Sequence, residues 1–168
     1  MLFSMFPTMA IEIDGEIIRY PDIFRRVAKN RYLEDSTYLD TYTIIDGERP
    51  EHVAYKIYDN AMYHWIILIA NNILDVHHDW PYSSHELINL CKDKYGENGL
   101  YQVHHYAYAD DISISVDYDA TAVQAGEIVA ITNYDYEARL NDEKSEIVIL
   151  KPEYISEFIG QFKSLIRK

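Results

Sequence analysis

The sequence predicts an α+β fold: a small βαα(β) module with an N-terminal hairpin arm and a C-terminal strand/helix extension. Three observations predict it. Residues 42–81 pack a β-rich stretch, a glycine turn, two short helical patterns and a Trp80-Pro81 exit into one segment with almost no slack. Asp14-Gly15 sits between alternating isoleucines. From Pro152 onward, apolar residues recur at helical spacing.

Ile11 and Ile13 face Ile17 and Ile18 across Asp14-Gly15, a strong hairpin signal because both turn positions need positive φ. Pro21-Asp22 opens a short helical pattern with Ile23, Phe24 and Val27 inward and Arg25, Arg26 and Lys29 outward. Residues 41–45 are β-rich and end at Asp46-Gly47. Pro50 suits a first helical position, where its missing N–H costs nothing, and Val53, Ala54, Ile57 and Tyr58 then form one apolar face. Asp59-Asn60 breaks that helix. A second carries Met62, Trp65, Ile66, Leu68 and Ile69, and Asn71-Asn72 ends it. Ser83 and Glu86 form a capping box for a helix lined by Leu87, Ile88, Cys91 and Tyr95, with Gly96 as its stop.

After Tyr101 the period changes. Residues 101–107 read as a strand, and Ile112, Ile114, Val116 and Tyr118 alternate as a second. Residues 127–132 form a third candidate, 134–144 a charged helix, and 147–150 a strand or the continuation of that helix. The last helix places Ile155, Phe158, Ile159, Phe162, Leu165 and Ile166 on one stripe. Glu153 and Glu157 lie in its first turns and Lys163, Arg167 and Lys168 in its last, which suits the helix dipole. The resulting organisation is an arm over 1–40, a module with its following helix over 41–96, a β-rich segment with a helix over 97–150, and the amphipathic helix over 151–168.

Composition narrows the function. A net charge of −13 argues against nucleic acid, whose phosphates need a basic footprint. An acidic surface suits docking onto a basic protein neighbour. Tyrosine supplies 16 of the aromatics, beside 5 Phe and 2 Trp, and its large area and polar tip suit protein–protein contacts as well as half-buried strands. Cys91 is the lone cysteine, so no internal disulfide is expected. No stretch reaches the roughly 18 apolar residues of a membrane span, and MLFSMFPTM lacks the basic start and cleavage site of a signal peptide.

A search for chemistry yields no catalytic, cofactor or metal set. His77, His78, Asp79 and His85 cluster without zinc-site spacing. His85-Glu86 begins like a zinc-protease helix, but Asn89 stands at the second ligand position. His104 and His105, on a strand, are expected to point to opposite faces. Asp117-Tyr118-Asp119 opens like a calcium loop, yet Ala122 and Ile128 occupy the positions that need Gly and Glu, so a solvated loop is expected. Asp110-Asp111 reads as surface charge, and Cys91 as a small buried hydrophobe. Neither a phosphate-cradling glycine loop nor a serine elbow is present. These readings favour a structural or binding protein without small-molecule substrate.

Two resemblances carry further implications. Tyr42, Ile44, Gly47-Glu48, Val53-Ala54, Tyr58, Leu68 and Asn71-Asn72 are similar to the pattern of the LysM module, a small βααβ fold. Its closing strand is not evident after Asn72, where ILDVHHDWPYS follows. Over a longer span, Phe3, Phe6 and Pro7, the run from Gly47 to Pro81, and NYDYEARLNDEK with ILKPEYISEFI resemble the LysM-containing baseplate wedge protein of contractile-tailed bacteriophages.

That second resemblance implies a non-enzymatic virion subunit of the tail baseplate, assembled in the host cytoplasm and linking neighbouring wedges around the hub. It further implies contacts with sheath-initiator-like and large wedge subunits, in a ring of about six copies. The alternative is a peptidoglycan-binding LysM protein that reads glycan near Gly47-Glu48. The candidate partner-interface residues are Phe3, Phe6, Tyr154, Phe158 and Phe162. The candidate module core is Val53, Ile57, Trp65, Leu68 and Trp80. Truncation after Leu150 is expected to spare the module while weakening assembly.

Overall fold

Turn and cap residues set most element boundaries in the computed structural model, which describes residues 5–22 and 31–166. The fold is α+β. β1 (Thr8–Ile13) and β2 (Glu16–Pro21) form the antiparallel hairpin, with Asp14 and Gly15 at φ 53° and 81° as the turn requires. The helix expected from Ile23, and the candidate contact Phe3, lie outside the described residues.

The chain divides into two compact units, the first formed by the described parts of 1–43, 48–74 and 147–168, the second by 44–47 and 75–146. In the first unit β3 (Leu39–Thr43) leads to α1 (Pro50–Tyr58) and α2 (His64–Ala70). Pro50 occupies the first turn of α1, and Asp59 at φ 53° ends that helix in the left-handed region. Asn60 then caps a single 3-10 turn, Ala61–Tyr63, by accepting from the Met62 N–H. That tighter turn shifts the phase of the helix after it. Trp65, Ile66 and Ile67 become the buried residues of α2, whereas Met62 and Ile69, expected inward, are exposed.

The strand that closes the sheet is β7 (Glu146–Leu150), which pairs with β3. The Lys151 N–H, just past the end of β7, donates to the Tyr38 carbonyl, just before the start of β3, at 2.9 Å. The two strands therefore run antiparallel. The β-α-α-β order expected near residue 72 is thus completed after the whole second unit has intervened. α7 (Ile155–Ile166) follows a 3-10 turn at Pro152–Tyr154 and buries Ile155, Phe158, Phe162 and Ile166. With Val53, Ala54, Trp65, Ile66, Ile67, Ile149 and Leu150 these form the first unit's core.

The second unit contains α3 (Val76–Asp79), α4 (Ser84–Tyr95), β4 (Val103–Tyr108), β5 (Ser115–Val116), α5 (Ala120–Ala125), β6 (Ile128–Thr132) and α6 (Asn133–Asp142). Its sheet runs β5-β4-β6, antiparallel throughout. The Ser83–Glu86 box caps α4 as expected. Two expectations are corrected. The strand drawn through Ile112 to Tyr118 shrinks to two residues, because Asp111 Oδ1 accepts from both the N–H and the hydroxyl of Ser113 and holds a turn there. The loop expected after Asp117 contains α5, capped by Asp119 through the N–H groups of Thr121 and Ala122 and ended by Gly126 at φ 75°.

Candidate assembly surfaces

The hairpin carries a large exposed apolar surface. Ile11, Ile13, Ile17 and Ile18 are 40 %, 51 %, 70 % and 46 % exposed. Directly opposed residues of an antiparallel pair share a face, so the register Ile11↔Ile18 and Met9↔Tyr20 gathers Met9, Ile11, Ile13, Ile18 and Tyr20 on one side. Four carboxylates, Glu12, Asp14, Glu16 and Asp22, accompany a single cation, Arg19.

The expected contact residues of the C-terminal helix lie elsewhere. Phe158 and Phe162 are 0 % and 4 % exposed, with ring centroids 5.8 and 5.0 Å from Trp65. They fill the chain's own core because the α7 stripe meets α2 within the same unit. Phe6 is half-buried with its ring 6.4 Å from Phe162. Tyr154 is half-buried in a cluster with Tyr38 at 4.9 Å and Tyr32 at 6.2 Å. Of the module-core candidates, Val53 and Trp65 are buried, Ile57 and Leu68 half-buried, and Trp80 is buried but belongs to the second unit.

Both carboxylates of the loop after β3, Asp46 and Glu48, are engaged. Glu48 Oε2 accepts from the Tyr42 hydroxyl at 2.7 Å, and Lys56 Nζ donates to that hydroxyl at 2.8 Å and reaches Glu48 Oε1 at 3.3 Å. Within the second unit, the Asp46 carboxylate accepts from the Ser84 N–H and hydroxyl at 2.7 and 2.9 Å. A cleft of about 260 Å³ in that unit is lined by Ile45, Asp46, Tyr82, Leu87, Tyr134 and Asn141, among others. Its Asn141 amide is bonded both ways to the Tyr82 backbone, at 2.7 and 3.0 Å. The amide and carboxylate that could orient a ligand there already hold the fold.

A polar node joins α4 to α6. Glu137, 7 % exposed, accepts from Lys94 Nζ and the Tyr95 hydroxyl, both at 2.6 Å. Burial pushes its carboxyl up, but these two donors outweigh that and hold it below the usual glutamate range. Burial pushes the Cys91 thiol up, away from the reactive thiolate form.

His104 and His105 correct another expectation. The register of β4 against β6 shifts between Val103 and His105, and such an irregularity breaks strict alternation. The two Nδ1 atoms lie 2.9 Å apart, with His104 stacked 4.1 Å over Tyr136. Burial, then His104, then Arg139 hold His105 below the usual histidine range. Among the described residues no group of three or more His, Cys, Asp or Glu is placed to hold a metal ion, and no helix is long and apolar enough to cross a membrane.

Comparison with known proteins bears on this pattern of internally committed clefts and an exposed apolar hairpin. The family described as Base plate wedge protein 53 matches residues 1–114. The chain belongs to this family. It is also 24 % identical over 165 residues to the baseplate wedge protein gp53 of Enterobacteria phage T4, covering 89 % of this chain and 81 % of that protein. The family match takes in the hairpin, the β3-α1-α2 segment and α4 through β4. The longer pairwise match extends the likeness over most of the chain.

Proposed function

We propose that the protein is a structural, non-enzymatic subunit of a contractile phage tail baseplate, carried in the virion and linking neighbouring wedges by protein–protein contact. The observation that carries this reading is the family match across residues 1–114. The likeness to the T4 wedge protein and the exposed isoleucine hairpin support it. The partners we propose are other wedge subunits, of the sheath-initiator-like and large classes, arranged with about six copies around the tail axis.

The first unit acts as a LysM-like scaffold. Its β3-α1-α2-β7 order fits a βααβ module whose last strand is delivered after an insertion. The hairpin within 1–40 serves as the docking arm, with Phe6 and Tyr154, both half-buried, as further candidate contacts, while Phe158 and Phe162 support the scaffold from within. The peptidoglycan reading is disfavoured by the commitment of Asp46 to Ser84 and of Glu48 to Tyr42 and Lys56, which leaves that loop engaged where a glycan binder needs open donors and acceptors.

Mixing the purified chain with each wedge subunit of its baseplate and resolving the mixtures by size-exclusion chromatography with light scattering tests the proposal. A defined hetero-complex with at least one is expected. A chain that stays monomeric beside all of them, or that binds cell-wall sacculi instead, overturns it.

A further inference from the structure

We propose that the outer edge of β1 is a strand-addition site for an extended segment of another baseplate protein, in which apolar residues alternate with small or basic ones. The inference rests on the assembly reading above and adds the chemistry of recognition.

The hydrogen-bond parity of the hairpin singles out this edge. The Asp22 N–H donates to the Pro7 carbonyl at 2.8 Å, and the register runs from Thr8↔Pro21 to Ile13↔Glu16. Bonded and non-bonded pairs alternate in an antiparallel ladder. Pro7/Asp22, Met9/Tyr20, Ile11/Ile18 and Ile13/Glu16 are therefore the bonded pairs, and the N–H and C=O groups of Thr8, Ala10 and Glu12 point outward. Among the described residues the sheet has only these two strands and none covers that row, and Thr8, Ala10 and Glu12 are exposed. On the opposite edge Ile17 and Arg19 point outward too, but the next such position is Pro21, which has no N–H to give. β1 thus offers three complete donor–acceptor sets where β2 offers two.

Exposed edges in soluble proteins are commonly blunted by lysine, proline or a bulge. β1, TMAIEI, contains neither lysine nor proline, and its register against β2 is unbroken. A two-stranded hairpin is marginal in water, and a third strand over an apolar face supplies what it lacks. The side chains set the sequence of that third strand. On one face it meets Met9, Ile11 and Ile13, which call for apolar residues. On the other it meets Thr8, Ala10 and Glu12, which call for small residues and, opposite Glu12, a cation.

Charge selects the source. Glu12, Asp14, Glu16 and Asp22 oppose one arginine on the hairpin, and the whole chain carries −13. A second copy would bring matching negative charge to the contact, whereas a segment bearing Lys or Arg is attracted. Backbone pairing supplies affinity in such additions and the alternating side chains supply specificity.

The test uses the full chain with each purified wedge subunit as probe, reading affinity by titration calorimetry and amide protection by hydrogen exchange. The wild-type complex is expected to protect the Thr8, Ala10 and Glu12 amides at least tenfold over the free chain. The double variant Ile11→Ser/Ile13→Ser and the reversal Glu12→Lys are each expected to weaken binding about tenfold or more, the latter most at low salt. Ile17→Ser, on the other face of the far strand, should change it less than about threefold. A complex in which the β1 amides stay unprotected and the variants bind like wild type overturns this inference and leaves the assembly reading standing. Absence of any complex overturns both. Self-association that protects β1 in the chain alone, growing with concentration, assigns the edge to a second copy and overturns the hetero-partner.

Discussion

Asn71 donates from Nδ2 to the Ile67 and Val148 carbonyls, at 2.9 and 2.7 Å, and accepts at Oδ1 from the Val148 N–H at 2.8 Å. Its amide thus pairs with β7 as a neighbouring strand's backbone would. Asn71→Ala is expected to lower unfolding free energy by about 1–3 kcal/mol, since the Val148 groups lose their partner; urea denaturation measures this. Asn71→Asp keeps the acceptor but turns an acceptor toward two carbonyls, so it should be at least as damaging above pH about 4 and partly recover on protonation. Trp65→Ala should cost about 3–5 kcal/mol through the cavity left against Phe158 and Phe162. Glu137 gives a pH signature. Its folded carboxyl titrates below the ordinary value, so its contribution is present above the unfolded pKa and lost as pH falls through the folded one. Lys94 is raised, chiefly by its hydrogen bond to Glu137, so its share is present below the unfolded lysine pKa and lost as pH rises through the folded one. Thermal melts of wild type and Glu137→Gln should therefore differ most between those limits and converge in acid.

At the scale of elements, α7 decides whether the first unit has a core. Phe158 and Phe162 meet Trp65, so truncation after Leu150, expected from sequence to spare the module, should instead unfold the first unit. Loss of dispersed methyl resonances in the truncated chain would establish this; retention would place the helix outside the core. The hairpin, α1, the capped α4 and the apolar stripe of α7 were legible because each is specified locally: Asp14-Gly15, Pro50, Ser83 with Glu86, and a helical period. Less legible features depended on distant or subtle terms. The destination of the α7 stripe is a tertiary choice that periodicity leaves open. The partner of Asn71 lies 77 positions away. The turn at Asp111 and the register shift at His104 depend on one side-chain bond and one extra residue in a ladder, which alternation alone conceals.

At the scale of the whole chain, the β3-α1-α2 part of the first unit and its β7-α7 part are separated in sequence by residues 75–146, the bulk of the second. The core residues named above for the first unit all lie outside 75–146. Replacing 75–146 by a glycine–serine linker is therefore expected to leave a folded first unit, with a cooperative melt and native-like far-UV dichroism. A non-cooperative melt would mean that the insertion is needed to bring β7 back to β3. Expected assembly residues were only partly legible at this scale, because an exposed stripe and a buried one have the same sequence. Ile11 and Phe158 are equally apolar, and only the fold separates the surface from the core.

The late arrival of β7 has a consequence for synthesis. Translation presents β3, α1 and α2 first, yet the strand that pairs with β3 and the helix that covers Trp65 emerge only with residues 147–166. Until then the early part of the unit holds an unpaired strand and an uncovered tryptophan, a state that proteases and chaperones recognise. A chain interrupted anywhere in the insertion would remain in that state. The discontinuity thus ties folding of the first unit to synthesis of residues 147–166: a ribosome must read through that strand and helix before the first unit can assemble its core.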